Sequence, residues 1–222
     1  MKKFFMITPL QPVIWDDETG KIVRDNLKKS IYHTTGNGHL AYEHETRFPL
    51  IPVINEYAEK DEEIRVFAIT PDTKSAWYHV EQLREELEEV KKRKGFSCNG
   101  VEPIKVTYAG DVDTQIEIFH KLLPLIDDDD ILYGCLTYGN KPMPIAELMA
   151  IQYGYRTLQN VSIGCLVYGE LDHSQANSPM MIFDITALIQ LDEIVRVLAE
   201  RKVREPRAII DRLVAGINLK DE

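Results

Sequence analysis

The apolar residues of this chain fall into short continuous runs, separated by stretches in which they recur every three or four positions. Lys3–Thr8 is an apolar run stopped by Pro9 and reads as a first strand. Asp16–Arg47 is polar and rich in turn residues, with Gly20, Gly36 and Gly38, and is expected to lack regular structure. A structureless stretch of that length inside a compact domain is unusual and often functional. Phe48–Ala58 has helical spacing through Leu50, Ile54, Tyr57 and Ala58, and Ile64–Thr70 reads as a strand ending at Pro71-Asp72. The spacing of Trp77, Val80, Leu83, Leu87 and Val90 predicts a long helix over Thr73–Lys94. Its acids, Glu85, Glu86, Glu88 and Glu89, precede Lys91–Lys94, which suits the helix dipole and suggests a solvated face.

The second half continues the alternation. Ile104–Tyr108 reads as a strand, Val112–Ile126 as a helix, Ile131–Leu136 as a strand and Met143–Leu158 as a helix. Ile163–Tyr168 comes next as a strand and Met180–Asp184 as a candidate sixth. Asp127–Asp130 is the sharpest charge run and is expected to be a solvated turn. Ala187–Arg204 and Arg207–Ala215 predict two terminal helices divided at Pro206. Strands alternating with helices imply crossover connections, and so an α/β fold with an open, mostly parallel sheet flanked by helices. Residues 1–186 are assigned to that domain and 187–222 to a short C-terminal helical appendage.

Composition narrows the function classes. With 222 residues, 44% hydrophobic and 28% charged, the chain suits one ordinary domain with a modest appendage. Its three cysteines, Cys98, Cys135 and Cys165, form no CxxC pair, which argues against a disulfide framework or a zinc site and for a cytoplasmic setting. No signal peptide or membrane span is expected, because the apolar stretch after Met1-Lys2-Lys3 breaks at Pro9 and Pro12. A formal net charge of −10 argues against duplex nucleic acid as a partner. It leaves room for a compact phosphorylated ligand in a local pocket.

In open α/β sheets ligands bind beyond the carboxyl ends of the strands. Four segments meet that condition: Thr8-Pro9-Leu10, Thr70-Pro71-Asp72, Ala109-Gly110-Asp111 and Thr137–Lys141. The last is the richest. Thr137 and Tyr138 offer hydroxyls, Gly139 permits close backbone approach, Asn140 offers a donor and an acceptor, and Lys141 a positive charge. Pro142 suits the first position of a helix whose N-terminus favours anions, although Pro142 and Pro144 remove two N–H donors. By itself the turn reads equally as an anion site or as an ordinary strand-to-helix connection. Neither a P-loop nor a GxGxxG motif occurs in the chain.

The run Leu136-Thr137-Tyr138-Gly139-Asn140-Lys141-Pro142-Met143-Pro144, with a helix and the strand Ile163–Tyr168 after it, resembles the second signature of CRISPR-associated Rossmann-fold (CARF) domains. Thr8-Pro9-Leu10 resembles the first, and Phe183-Asp184-Ile185-Thr186 resembles the segment just after the sensor domain in one branch of the family. The likeness covers residues 1–186 in order of elements, with 136–144 its most specific part. It implies a Rossmann-like sheet, a homodimer and a cyclic oligoadenylate ligand, the tetra-adenylate being the expected form, in type III CRISPR antiviral signalling. By that resemblance Thr8, Pro9 and Leu10 would wrap the ligand from one side, and Thr137, Gly139, Asn140 and Lys141 would hold phosphates and riboses from the other. Common family members carry a HEPN ribonuclease marked by Arg and, four to six residues on, His; this chain has no such pair and no PD-(D/E)xK pattern.

Two function classes stay open at this point. One is a metal-independent ring nuclease, in which a ribose 2′-hydroxyl attacks the adjacent phosphate. Thr8 and Thr137 would then position the reacting groups, and Lys141 would stabilise the developing charge. The other is a non-catalytic sensing module that regulates a partner effector or transcription. No cofactor is expected in either. Thr46 and Arg47, at the end of the polar 16–47 segment, are secondary ligand contacts, since an arginine there could clamp a phosphate. His33, His39 and His44, with Glu43 and Glu45, match no zinc spacing and read as a solvent-facing loop. His79 and His120 read as structural, and His173, in a loop after the fifth strand and close to Asp172, as an ordinary loop residue, with a place on a pocket rim the less favoured alternative. Arg196–Arg212 carries six basic against three acidic residues, interleaved with apolar ones, which suits packing or dimerisation.

Overall fold

The computed structural model describes residues 1–170 and 180–218, so His173 and Asp172 lie outside the described residues. The chain divides into two compact units, Met1–Asp184 and Ile185–Glu222. In the first, β1 (Lys2–Ile7) is followed by β2 (Val13–Trp15), β3 (Ile22–Asp25), β4 (Tyr32–Thr34) and α1 (Leu50–Tyr57). Next come β5 (Ile64–Pro71), α2 (Lys74–Lys94), β6 (Val101–Val106) and α3 (Val112–Leu122). The unit closes with β7 (Ile131–Cys135), α4 (Pro142–Thr157), β8 (Ser162–Glu170) and β9 (Met180–Asp184). The second unit holds α5 (Thr186–Glu200) and α6 (Pro206–Asn218).

Seven strands form one sheet in the order β4-β9-β8-β7-β1-β5-β6. The five central and outer strands β8-β7-β1-β5-β6 run parallel, β9 is antiparallel to β8, and β4 pairs parallel with β9. This is a Rossmann-like α/β fold with an open, mostly parallel sheet. β1 lies at its centre, and Phe4, Phe5, Met6 and Ile7 are buried on both faces, as a strand covered on two sides requires. Phe4 stacks on Tyr133 at 4.5 Å and Phe5 on Phe67 at 4.9 Å, each pair directly opposite in register. Such pairs add about 0.5–1.5 kcal/mol each beyond their burial.

Successive strand residues point to opposite faces, and β7 shows which helices cover which. Tyr133 meets Tyr57 of α1, whereas a side chain on the next residue, Gly134, would meet Ile151 of α4. Helices α1 and α2 therefore cover one face and α3 and α4 the other. Helix α2 begins at Thr73, whose side chain accepts from the Ala76 N–H, and ends at Gly95 with φ of 80°, a conformation glycine adopts without strain.

Several elements depart from the sequence expectations. The 16–47 segment is not structureless: β2 and β3 form an antiparallel pair, and β4 extends the sheet beyond β9. It docks on α2, where Arg93 donates to the Tyr42 hydroxyl, and β2 just before it does the same through the Val13 N–H, which donates to Ser75 Oγ. Strand β6 starts at Val101 rather than Ile104, because Pro103 is tolerated on an edge strand. Asp127–Asp130 is not wholly solvated either. Lys3, buried at 2% exposure, places Nζ 2.7 Å from Asp127 and 2.6 Å from the buried Asp130. Among the described residues no helix is long and apolar enough to cross a membrane.

Candidate anion-binding site at the carboxyl ends of the strands

The order of the sheet selects the site. From β1 the chain builds outward through β5 and β6, then returns to β7 on the other side of β1. The reversal falls between β1 and β7, and in open sheets the crevice at that point is where ligands sit. The loops it brings together are those after Ile7 and Cys135. Gly139 has φ of 95°, and a Cβ on it would lie 2.9 Å from Cγ2 of Ile7. The Thr137–Lys141 turn therefore rests directly on the last residue of β1, and only glycine fits there.

The donors of this turn lie before the helix rather than in it. Pro142 and Pro144 have no N–H, and the Met143 N–H donates to the Asn140 carbonyl at 3.0 Å. By contrast, the backbone N–H groups of Gly139, Asn140 and Lys141 make no hydrogen bond to any described residue. Lys141 is exposed and, among the described residues, makes no ion pair. The Asn140 side chain donates to the Ala109 carbonyl at 3.4 Å, while its Oδ1 is buried without a described partner. Three consecutive N–H groups and an ammonium that meet no acceptor among the described residues, with the N-terminal end of α4, make a local positive site on an acidic protein.

The other expected contacts are held more firmly by the protein itself. Thr8 is buried, with Oγ1 3.1 Å from Thr70 Oγ1. Thr70 gives its hydrogen to the Ala68 carbonyl, so Thr8 is the donor of the pair. Pro9 is buried and its carbonyl lies 3.0 Å from His79 Nδ1; Leu10 is half-buried. Thr137 Oγ1 accepts from the Gly169 N–H at 2.8 Å and lies 3.2 Å from Cys135 Sγ, a thiol that burial pushes up to about 12. Tyr138 is buried, and its hydroxyl donates to the Arg47 carbonyl at 2.6 Å. Burial keeps that phenol protonated well past its ordinary range.

Thr46 and Arg47 are engaged with Glu86 of α2. The Thr46 hydroxyl donates to one carboxylate oxygen, and Arg47 Nη1 sits 2.9 Å from the other. The arginine is thus a strut between the 16–47 segment and α2, and it reaches the turn only through its carbonyl. His39 Nδ1 lies 3.2 Å from Glu56, and among the described residues no group of three His, Cys, Asp or Glu is placed to hold a metal.

Sequence reasoning missed two buried acids. Glu86 reads as part of a solvated run, yet it lies three residues after Leu83 and four before Val90, inside the buried stripe of α2. Glu147 lies four residues after Met143 and four before Ile151, inside that of α4. Glu147 is fully buried against Gly134, and no described group meets either carboxyl oxygen in hydrogen-bonding geometry. Burial raises its pKa well above the ordinary 4.5, opposed in part by the Cys135 backbone N–H.

No protein-family model matches this chain, and no curated protein matches it in sequence.

Proposed function

We propose that this protein is a sensor that binds a cyclic oligoadenylate, in the tetra-adenylate form, at the carboxyl ends of β1 and β7. The observation that carries the reading is the turn at the point of strand reversal, whose donors meet no acceptor among the described residues. Gly139, Asn140 and Lys141 offer three N–H groups and an ammonium beside the loop after β1. A phosphodiester accepts hydrogen bonds and carries one negative charge, which matches that set. The ring form comes from the resemblance to CARF domains through residues 136–144 and 8–10. A ring with two-fold symmetry presents the same phosphates to two identical turns, so it suits an isologous homodimer.

The geometry favours holding over cutting. The hydroxyls of Thr8 and Thr137, which would position a reacting ribose, are tied to Thr70 and to the Gly169 N–H. Lys141 is left as a binding group. The protein then acts as the ligand-responsive part of a type III CRISPR effector or regulatory assembly.

A thermal melt with cyclic tetra-adenylate, and then chromatography of the recovered ligand, tests this. Free ligand at 100 times Kd is expected to stabilise the protein by about 2.7 kcal/mol, a rise in Tm of roughly 5–10 °C at this chain length. The ligand should be recovered intact. Linear products that vanish in Lys141→Ala would replace the sensor with a ring nuclease, and an unmoved Tm would remove both.

A further inference from the structure

A cavity of about 450 Å³ opens at the carboxyl ends of β5 and β6, away from the turn described above, and is lined by Asp72, Lys105, Tyr108, Glu117 and Lys121. Its size falls in the range of small-molecule pockets. Its charges are balanced. Lys105 Nζ lies 2.8 Å from Asp72, and Lys121 Nζ lies 2.7 Å from Glu117 while donating to the Lys105 carbonyl at 2.6 Å. Glu117 also accepts from the Thr107 N–H at 3.2 Å. Two ammonium groups facing two carboxylates give no net pull on a phosphate or a metal cation. They do offer donors and acceptors side by side around an aromatic ring, because Tyr108 is 55% exposed. That combination suits a neutral heteroaromatic ring with its own edge donors and acceptors, and a nucleobase is such a ring.

The cavity lies within reach of the phosphate turn. In the sheet β6 is two places from β1, on whose last residue Gly139 of the turn rests, and two interstrand steps span roughly 10 Å, about the reach of a ribose and its base. Residues 107–109 bridge the two places. Tyr108 lines the cavity, and the next residue, Ala109, accepts from the side chain of Asn140 in the turn. Net-neutral walls at one end, and at the other donors that meet no acceptor among the described residues, divide the labour as a nucleotide requires.

We infer that this cavity is a base-binding subsite for the nucleotide whose phosphate is held by Gly139, Asn140 and Lys141, with Tyr108 as its stacking platform. The inference rests on the phosphate reading of that turn. Asp72 and Glu117 would accept from an exocyclic amine, and Lys105 and Lys121 would donate to ring nitrogens.

Titration of the full chain with cyclic tetra-adenylate tests it. Tyr108→Ala is expected to weaken binding about tenfold, the ordinary effect of removing one stacked base contact. Trp77 gives a second readout, because its indole N–H donates to Asp72 at 3.4 Å and it is one of two tryptophans in the chain. In Trp15→Phe, cyclic tetra-adenylate should change the Trp77 emission along the binding curve, whereas ribose 5-phosphate, which lacks a base, should not. If Lys141→Ala loses the ligand while Tyr108→Ala and the Trp77 emission do not respond, the base subsite is wrong and the phosphate site stands. If the unaltered protein binds no cyclic tetra-adenylate, the base subsite falls together with the reading beneath it.

Discussion

Lys3, near the start of β1, and Lys141, in the turn after β7, lie at opposite ends of the same two strands, and their surroundings could hardly differ more. Lys3 is buried and contacts two carboxylates, one of them, Asp130, buried as well. Asp130 is further bound by the N-terminal ammonium at 3.3 Å and by the Asp127 N–H. Lys141 is exposed, and among the described residues it meets no acid and the two backbone N–H groups before it meet no acceptor. A buried charge must be paired to be tolerated, so the amino end of the strands is closed by its lysine. An exposed charge above a row of donors that no described residue uses is available to something else. Residue type says nothing here; the company each lysine keeps separates a structural role from a binding one.

The comparison can be broken by mutation, beginning with the largest effect. Lys3→Met leaves Asp130 buried without its main partner and is expected to cost about 3–5 kcal/mol in denaturant unfolding. Gly139→Val combines an unfavourable φ with a clash against Ile7, and should cost roughly 2–4 kcal/mol by the same measurement.

Glu147→Met removes a buried carboxyl without described partners and should stabilise by about 1–3 kcal/mol at neutral pH. The pH dependence fixes the sign. A carboxyl whose folded pKa is raised holds more protons folded than unfolded, so unaltered protein loses stability as pH rises above the ordinary 4.5. The gain in Glu147→Met should therefore be larger at pH 8 than at pH 5, and a gain that does not change with pH would refute the buried neutral acid. Smallest of all, Lys141→Ala should move unfolding by no more than about 0.5 kcal/mol. A loss there as large as that of Lys3→Met would erase the contrast between the two ends.

Much of the fold is legible from periodicity, because α2, α3 and α4 each carry a stripe long enough to be seen. The 16–47 segment is not. Its strands, Ile22–Asp25 and Tyr32–Thr34, and the strand Val13–Trp15 that pairs with the first of them, are too short for alternation to register, and β4 exists because β9 offers an edge. Ile104–Tyr108 looks more strand-like than Val101–Val106, but the Thr107 N–H goes to Glu117 instead of to a neighbouring strand. The turn at Gly139–Lys141 is readable because its chemistry is local. The commitment of Thr8 to Thr70 and of Arg47 to Glu86 is not, since each joins residues far apart in sequence. Glu86 and Glu147 could have been suspected, because both occupy apolar-stripe positions where a solvated acid does not belong.

The central claim is that the exposed ammonium of Lys141 meets a phosphate. Calorimetric titration of cyclic tetra-adenylate into the unaltered protein and into Lys141→Ala, each at several salt concentrations, tests it most directly. Binding should weaken at least tenfold in the variant, and the dependence of log K on log salt should become shallower by roughly 0.7 for each lysine lost per ring. Equal affinity and equal salt slopes in the two proteins would contradict the account.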